Sequence, residues 1–381
     1  MTDDRVHSPM TKPEVTVAYD VGVPIEKPTG VGRYITELGR ALSELGVELK
    51  PYSVSLRGRS GDGVAHWRIP AKAAHLSWRK SNRPAISRLV GDTALVHGTN
   101  FILPALDNSK GVLTVHDLSF DTHRGFGGNR RLSIMVPWSL HHASAVIVPT
   151  AAVAAEVAER YDYPSELIFV TPEGVAPSFF DAEPMTDTEL ANLGVSRPFV
   201  IAVGTLQPRK NLIRLVDAWR SIAPQLNGWK LALVGQRGGE TEIPDASDVV
   251  VTGWVDDNVL HGLLASAELC CNPSLYEGFG LPALEAMAAG TPTLVGDYPA
   301  ATEVIGDPTL IVDRMDPDDI AEKILLLAKD EDLRKRLGSA GKDHASRFTW
   351  KRTALATMDA YEAALGEGDL MTDQGEGRRA R

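Results

Sequence analysis

Short apolar runs alternate with helical patterns along most of this 381-residue chain, and this alternation limits the possible folds more than any other feature. The chain begins with a β-branched run at Glu14–Asp20, a loop rich in glycine and proline, and a helical pattern that ends at Gly46. The later apolar runs of the first half are ALVHGTNFILP, GVLTVHDLSF, SAVIVPT and LIFVTPEGV. Strands that alternate with helices predict an α/β fold with a mostly parallel sheet covered on both faces.

The second half repeats this pattern after a polar stretch at Ala176–Pro198. Six further apolar runs follow, namely FVIAVGT, KLALVGQRGG, VVVTGWV, ELCCNPS, TPTLVGD and PTLIVD. Because the chain is longer than one compact core usually is, we expect two doubly wound domains of roughly 150 to 200 residues each. Ligands of such sheets bind beyond the carboxyl ends of the strands, so two facing domains predict a cleft between them.

The composition is that of an ordinary globular protein, with 43% hydrophobic and 23% charged residues. No apolar run reaches the roughly 18 to 20 residues of a membrane span, and the polar N-terminus lacks the pattern of a secretory signal. The two cysteines, Cys270 and Cys271, are adjacent and fit neither a disulfide nor a zinc site. We therefore expect buried, reduced cysteines, no bound metal and a cytoplasmic location.

One segment, Arg57–Arg88, is strongly basic although the chain carries a net charge of −11. It contains eight lysines and arginines, a single acid, Asp62, and the apolar residues Trp67, Leu76 and Trp78. Two interpretations remain open: a peripheral contact with an anionic membrane surface, or a solvated face. With a net charge of −11, a nucleic-acid partner would depend on this segment alone, so none is predicted.

The stretch YEGFGLPALEAMAAGTP, Tyr276–Pro292, places two glutamates around a turn that opens a helix. The amides of Phe279, Gly280 and Leu281 would face outward at the helix N-terminus, which is a favourable site for phosphate. Glu277 and Glu285 could border that site and accept hydrogen bonds from sugar or ribose hydroxyls. The alternative is structural, with Glu285 interacting with the helix dipole and Glu277 lying in a loop.

A second stretch, VGTLQPRKN, contains Gly204 and Thr205 at a strand end, followed by Arg209 and Lys210. Two cations at the start of the next helix oppose its dipole unless an anion joins them. A diphosphate would be such an anion, since Arg supplies a bidentate fork and Lys a point charge. This pair is therefore a candidate for stabilising a leaving phosphate.

Two motifs of the first half could complete the site. Gly30 and Gly32 in TGVGRY precede a helix, where a plain turn is the alternative to a phosphate loop. His116 and Asp117 in TVHDLSF follow a strand, and there a structural histidine is the alternative to a sugar contact. The residues themselves thus predict a nucleotide or phosphosugar site between two α/β domains.

Taken together, these motifs resemble the retaining glycosyltransferases of family 4, whose GT-B fold has two facing Rossmann-like domains. The resemblance extends from TGVGRY and TVHDLSF through VGTLQPRKNL, VTGWV and the GFGLP stretch to the closing FTWKRTA helix. It implies that this last helix crosses back to the first domain. The predicted units are a disordered N-terminus (1–12), an acceptor domain (13–178, with helix 348–365), a donor domain (179–347) and a disordered tail (366–381).

The resemblance also implies roles for individual residues. Glu285 would hold the ribose hydroxyls of a nucleotide-sugar donor, and Glu277 the hydroxyls of the transferred sugar. His116 resembles the histidine that contacts that sugar, while Arg209 and Lys210 would bind the phosphates. The other donor-binding positions implied or suggested are Gly30, Gly32, Gly204, Thr205, Trp254, Phe279, Gly280 and Leu281.

The implied chemistry needs no metal or other cofactor. Arg209 and Lys210 would stabilise the leaving diphosphate in place of a metal ion, and a donor phosphate oxygen would take the acceptor proton. Same-face attack would retain the anomeric configuration. One residue departs from the family pattern: Glu173 in TPEGV occupies a position where many relatives have asparagine.

The sequences of several motifs most resemble those of bacterial mannosyltransferases, so GDP-mannose is the first expected donor. UDP-sugars and dTDP-sugars remain alternative donors. The acceptor would be a glycan, lipid-linked or small-molecule hydroxyl. Two alternatives remain: a non-catalytic nucleotide-sugar binding module of the same fold, and a dinucleotide-dependent oxidoreductase. The first strand lacks the full GxGxxG that the oxidoreductase would need.

Overall fold

The computed structural model describes residues 15–22, 29–56, 63–122, 129–238, 242–243 and 246–369. It contains two sheets, one in each half of the chain, and every strand pair in both sheets is parallel. Each sheet is packed between helices, so the predicted α/β class and the two Rossmann-like units are confirmed. Outside these ranges lie the predicted disordered N-terminus, most of the tail, and Arg57, Arg59 and Asp62 of the basic segment.

The first sheet has seven strands in the order β3-β2-β1-β4-β5-β6-β7. Their bounds are β1 (Thr16–Asp20), β2 (Glu48–Val54), β3 (Ala65–Trp67), β4 (Leu95–Gly98), β5 (Lys110–Thr114), β6 (Ala145–Val148) and β7 (Ile168–Val170). The apolar runs correctly predicted five of these strands. They missed β2, which contains Pro51 and Lys50, and β3, which is only three residues long.

The second sheet has six strands in the order β10-β9-β8-β11-β12-β13, as the six apolar runs predicted. Their bounds are β8 (Phe199–Val203), β9 (Lys230–Val234), β10 (Val249–Gly253), β11 (Leu269–Asn272), β12 (Thr293–Gly296) and β13 (Ile311–Val312). The strand β8 is buried along its whole length, which explains its continuous apolar sequence. Both cysteines are buried and unbridged in β11, as expected.

Helices cover the two sheets, and several begin at a side chain that caps the first turn. Thr29, Thr150 and Asp256 each accept a hydrogen bond from an amide in the helix that follows. The helices are α1 (Gly30–Glu44), α2 (Ala71–Ser81), α3 (Ser87–Val90), α4 (Ser119–Thr122), α5 (Arg130–His142), α6 (Ala151–Tyr161), α7 (Pro177–Phe180), α8 (Asp187–Asn192), α9 (Leu212–Ile222), α10 (Asp257–Ser266), α11 (Leu281–Ala288), α12 (Ala301–Ile305), α13 (Pro317–Lys329), α14 (Glu331–Ala345) and α15 (Trp350–Asp369).

The last helix, α15, returns to the first half of the molecule. It packs against α1 and against strands β5 and β6 of the first sheet. Its Tyr361 hydroxyl lies 2.8 Å from Nδ1 of His97, a fully buried side chain of β4. Gly366 departs from helical geometry with φ 73°, one residue after the predicted helix end at 365. The expected crossover is therefore present.

Candidate functional site

A cavity of about 420 Å³ lies between the two halves, at the carboxyl ends of both sets of strands. Thr29, Arg33, His116 and Glu173 line it from the first half and the linker. The predicted site residues that line the cavity are Gly30, His116, Gly204, Thr205, Arg209, Lys210, Trp254, Glu277, Phe279, Gly280, Leu281 and Glu285. Gly32 does not line it, because it lies inside α1, where its amide donates to Thr29 Oγ1.

A buried ion cluster forms one wall of the cavity. Glu277 Oε2 accepts from Arg209 Nη1 at 2.5 Å, and Glu277 Oε1 accepts from Lys210 Nζ at 2.6 Å. The same guanidinium nitrogen also donates to the Tyr276 carbonyl at 2.7 Å. The anion expected beside the two cations is thus supplied by the protein itself.

Burial and charge compete within this cluster. Burial alone would raise the pKa of Glu277, but Arg209 and Lys210 outweigh it and lower the pKa to about 2. Burial lowers the pKa of Lys210, although Glu277 opposes this effect. The cluster holds Arg209 and Lys210 against Glu277, and the charge of Asp117, which also lines the cavity, acts on both cations.

The sequence suggested that Arg209 and Lys210 begin the following helix, and this expectation is wrong. They belong to a separate 3-10 turn, Pro208–Lys210, and Asn211 with φ 59° separates that turn from α9. Because Asn tolerates the left-handed conformation, the chain can bend here and both side chains point toward Glu277. Their unfavourable interaction with the helix dipole is thereby reduced.

The N-terminus of α11 faces the same cavity. Gly280 precedes the helix with φ 107°, a conformation that favours glycine. Among the hydrogen bonds of the described residues, none uses the amides of Phe279, Gly280 or Leu281. Three amides at a helix N-terminus, next to two cations, are an arrangement suited to a phosphate or diphosphate group.

Glu285 lies in α11 and is paired with a residue of the opposite domain. Arg33 Nε lies 3.0 Å from Glu285 Oε1 in an ion pair, and Arg33 Nη2 donates to Asp257 Oδ1 at 2.7 Å. Burial raises the pKa of Glu285 to about 7, although Arg33 opposes the rise. Sequence reasoning missed Arg33, whose signal was its place directly after the glycines of TGVGRY.

His116 lies beside Glu173, the residue that departs from the family pattern. Its Nε2 lies 2.9 Å from the Thr99 carbonyl, which can only accept, so this nitrogen carries a proton. Its Nδ1 lies 3.6 Å from Glu173 Oε1, and both side chains are 8% exposed. Tyr34 packs edge-on against the imidazole, with ring centroids 4.8 Å apart. The histidine is held rigidly at the cavity wall with a carboxylate as its neighbour.

Gly278 brings the two domains into direct contact. A Cβ atom at this position would lie 1.8 Å from the His116 carbonyl oxygen, so only glycine fits. The Gly278 carbonyl in turn accepts from Thr150 Oγ1 at 3.0 Å, and the Tyr276 hydroxyl donates to Glu156 at 2.6 Å. The domains are therefore closed against each other around the cavity.

Trp254 and the basic segment Arg57–Arg88 were also singled out in the sequence. Trp254 lines the cavity with 40% of its surface exposed, and the Asp256 side chain caps α10. In the basic segment, Trp78 is 3% exposed and packs in the core, whereas Leu76 is 48% exposed. Trp78 is thus not displayed for a membrane surface, whereas Trp67 is half-buried, and membrane contact by this segment stays a prediction.

The described residues contain neither a candidate metal site nor a candidate membrane-spanning helix. No group of three or more His, Cys, Asp or Glu side chains in the described ranges has the arrangement of a metal site. No helix within the part of the chain that the structure describes combines the length and apolar character needed to cross a membrane.

Comparisons with known proteins identify two family models and several relatives. The model of the glycosyltransferase family 4 matches residues 28–179, and the model of the glycosyl transferases group 1 matches residues 189–344. O-antigen chain mannosyltransferase B of Escherichia coli is 29% identical over 70% of this chain and 74% of its own length. MMP alpha-(1->4)-mannosyltransferase of Mycolicibacterium hassiacum is 31% identical over 58% of this chain and 54% of its own length.

Solved structures show the same fold. Sucrose-phosphate synthase from Thermosynechococcus elongatus superposes with a TM-score of 0.73 at 22% identity, covering 91% of this chain and 98% of that one. At this identity the likeness concerns the fold alone. The overall α/β architecture is therefore shared with that structure.

Proposed function

This chain belongs to the glycosyltransferases with the GT-B fold, and from that premise we propose that it is a retaining, metal-independent hexosyltransferase. The proposed donor is a nucleoside diphosphate sugar, with GDP-mannose as the first candidate because two relatives are named as mannosyltransferases. The proposed acceptor is a hydroxyl group of a glycan, a lipid-linked sugar or a small molecule.

One observation carries this proposal. Arg209, Lys210 and the amides of Phe279, Gly280 and Leu281 converge on one wall of a cavity between two domains. Such a combination of two cations and a helix N-terminus favours the charge that grows on a leaving diphosphate. Glu285, in the same helix, lines the cavity. In the proposed complex its carboxylate accepts hydrogen bonds from ribose hydroxyls.

In the proposed reaction the bond between the anomeric carbon and the diphosphate oxygen breaks while the acceptor oxygen attacks from the same face. The proton of the acceptor hydroxyl passes to an oxygen of the leaving phosphate, so no side chain serves as a base. Arg209 and Lys210 stabilise the leaving group, and Glu277 orients both cations and the hydroxyls of the sugar. His116 positions the sugar from the opposite domain.

Two ion pairs at the cavity wall involve residues that the proposal assigns to the donor. The proposed ribose contact of Glu285 competes with Arg33, which occupies one of its oxygens. The proposed phosphate contacts of Lys210 compete with Glu277. We therefore expect donor groups to replace Arg33 beside Glu285 and Glu277 beside Lys210 when the donor binds.

A thermal-shift panel of nucleoside diphosphates and their sugars tests this proposal. A ligand that binds the folded state stabilises it by RT ln(1 + [L]/Kd), so a donor at 100 times its Kd adds about 2.7 kcal/mol. At least one nucleotide should raise the unfolding temperature, with a smaller rise for Glu285→Ala. If no member of the panel shifts the protein, the proposed function is wrong.

The same donor distinguishes an enzyme from a binding module. An active transferase should release nucleoside diphosphate from the nucleotide sugar that stabilises it. Without an acceptor, this release should still occur by slow hydrolysis. Stabilisation without any release, with or without added acceptors, would favour the non-catalytic alternative.

A further inference from the structure

The cavity wall contains three glutamates, and the proposed reaction gives no role to one of them, Glu173. The other two, Glu277 and Glu285, are paired with arginine or lysine side chains. Within the described ranges, the Glu173 carboxylate has no lysine or arginine partner and accepts no hydrogen bond. The residue is nevertheless only 6% exposed. Because burying an unpartnered carboxylate is costly, this side chain points to a hydrogen-bond donor that a ligand supplies.

The backbone on both sides of Glu173 is fixed to the crossing helix α15. On one side, the Pro172 carbonyl accepts from Thr353 Oγ1 at 2.7 Å. On the other side, Gly174 packs so closely that a Cβ atom there would clash with the Trp350 amide nitrogen. These contacts hold the Glu173 backbone at the cavity wall, so the carboxylate cannot reach bulk water through a shift of the linker.

His116 faces the same carboxylate. Because Nε2 of His116 donates to the Thr99 carbonyl, Nδ1 of the neutral ring has only a lone pair to offer. This Nδ1 atom lies 3.6 Å from Glu173 Oε1, which is too far for a hydrogen bond between them. Two acceptors also cannot satisfy each other. A ligand hydroxyl whose oxygen lies about 2.8 Å from both atoms would fit between them and donate to the carboxylate.

Glu173 is close to both residues that are proposed to hold the two ends of the donor. Burial raises the pKa of Glu285 to about 7, and the charges of Asp257 and Glu173 add to the rise, which Arg33 opposes. Glu173 therefore lies within electrostatic range of Glu285, the proposed ribose contact. His116, the proposed contact of the transferred sugar, is its immediate neighbour. We therefore assign the hydroxyl beside Glu173 to the transferred sugar.

We infer that Glu173 is a specificity-determining residue, whose carboxylate accepts a hydrogen bond from one hydroxyl of the transferred sugar beside His116. This inference rests on the proposed glycosyltransferase function. Asparagine, the residue of the family pattern, is shorter by one methylene group and would accept only a weaker, uncharged hydrogen bond. Glu173 thus restricts the donor to hexoses that keep this hydroxyl and disfavours sugars that are deoxygenated there.

Donor hydrolysis without an acceptor tests this inference, because the identity of the acceptor then has no influence. The substrates are GDP-mannose and its monodeoxy analogues, each lacking one hydroxyl, or the same set for whichever nucleotide sugar the wild type hydrolyses. For each substrate, kcat/KM of the wild type is divided by kcat/KM of Glu173→Gln, so the intrinsic reactivity of the sugar cancels. This ratio should be about tenfold for the parent sugar, because a charged acceptor is replaced by a neutral one. It should be near one for the single analogue that lacks the contacted hydroxyl.

Two further variants complete the comparison. Glu173→Asn, which restores the residue of the family pattern, should give the same dependence on one hydroxyl as Glu173→Gln. Glu183→Gln is the matched control, since Glu183 is an exposed glutamate further along the same connection and does not line the cavity. Its ratio should be near one for every sugar. The thermal shift with free nucleoside diphosphate, which lacks the sugar, should be similar in all these proteins and shows that the variants are folded.

Two results would overturn the inference. One is a raised ratio that is the same for the parent sugar and for every analogue, since Glu173 would then act on the geometry of the linker and not on one hydroxyl. The other is a ratio near one for the parent sugar itself, since Glu173 would then not contact the sugar. In both cases the wild type hydrolyses the parent donor, so the proposed function stands. If the wild type hydrolyses no nucleotide sugar, the proposed function is wrong, and this inference is wrong with it.

Discussion

The buried cluster of Glu277, Arg209 and Lys210 gives a quantitative prediction for Glu277→Gln. Relative to its ordinary value of 4.5, the pKa of Glu277 is lowered to about 2 by the two cations. At 1.36 kcal/mol for each pKa unit, the charged carboxylate contributes about 3 kcal/mol to folding at neutral pH. A similar loss, about 3 to 5 kcal/mol, is typical when one partner of a buried ion pair is removed.

The pH dependence follows from the sign of this shift. Because the pKa of Glu277 is lower in the folded state than in the unfolded state, its contribution is present above pH 4.5 and is lost as the pH falls toward 2. The difference in unfolding free energy between wild type and Glu277→Gln should decrease from about 3 kcal/mol at pH 7 to about 1 kcal/mol at pH 3. Urea unfolding at several pH values measures this difference.

The exposed pair of Glu331 and Lys335 provides a matched control. Its ion pair has the same length, 2.6 Å, but both side chains are mostly exposed to water. Glu331→Gln should therefore leave the urea midpoint unchanged. If Glu277→Gln at pH 7 costs no more than this control, the cluster is solvated and the electrostatic reasoning about this wall of the cavity is wrong.

Three further variants test the donor site. Glu285→Gln should weaken nucleotide binding about tenfold at pH 8. In the wild type, affinity should increase as the pH rises through about 7, where the raised pKa places ionisation of Glu285; the variant should show no such rise in a thermal-shift titration. Lys210→Met should slow sugar transfer about 10²- to 10³-fold while changing nucleotide affinity little. Equally small effects on transfer and on affinity would indicate that Lys210 has only a structural role. Gly278→Ala should abolish most transfer because its Cβ would strike the His116 carbonyl and keep the domains apart. Small-angle scattering should show the more open form, and full activity would contradict the close approach.

Much of the fold could be predicted from the sequence because parallel strands buried on both faces have continuous apolar runs. All six strands of the second sheet have such runs. Strand β2 was missed because it is exposed at Glu48 and contains Lys50 and Pro51, so its pattern is not that of a central strand. A three-residue strand such as β3 has too few residues to show any period.

The candidate site was predictable where its residues are neighbours in sequence, as Glu277 and Glu285 are around one turn. Its long-range pairs were not predictable. Arg33 and Asp257 are 224 positions apart, and only the packing of the two domains brings them together. The contact of Gly278 with His116 likewise depends on geometry that no local pattern encodes.

The stereochemistry of the first product tests the central claim most directly. Proton NMR can follow the anomeric signals of the sugar released from GDP-mannose, or from whichever nucleotide sugar stabilises the protein, in the presence of a chelator. We predict release of nucleoside diphosphate together with a sugar that first appears in the anomeric configuration it had in the donor, which is α for GDP-mannose. Release of the opposite anomer, loss of turnover on chelation, or no turnover with any donor would contradict a retaining, metal-independent glycosyltransferase.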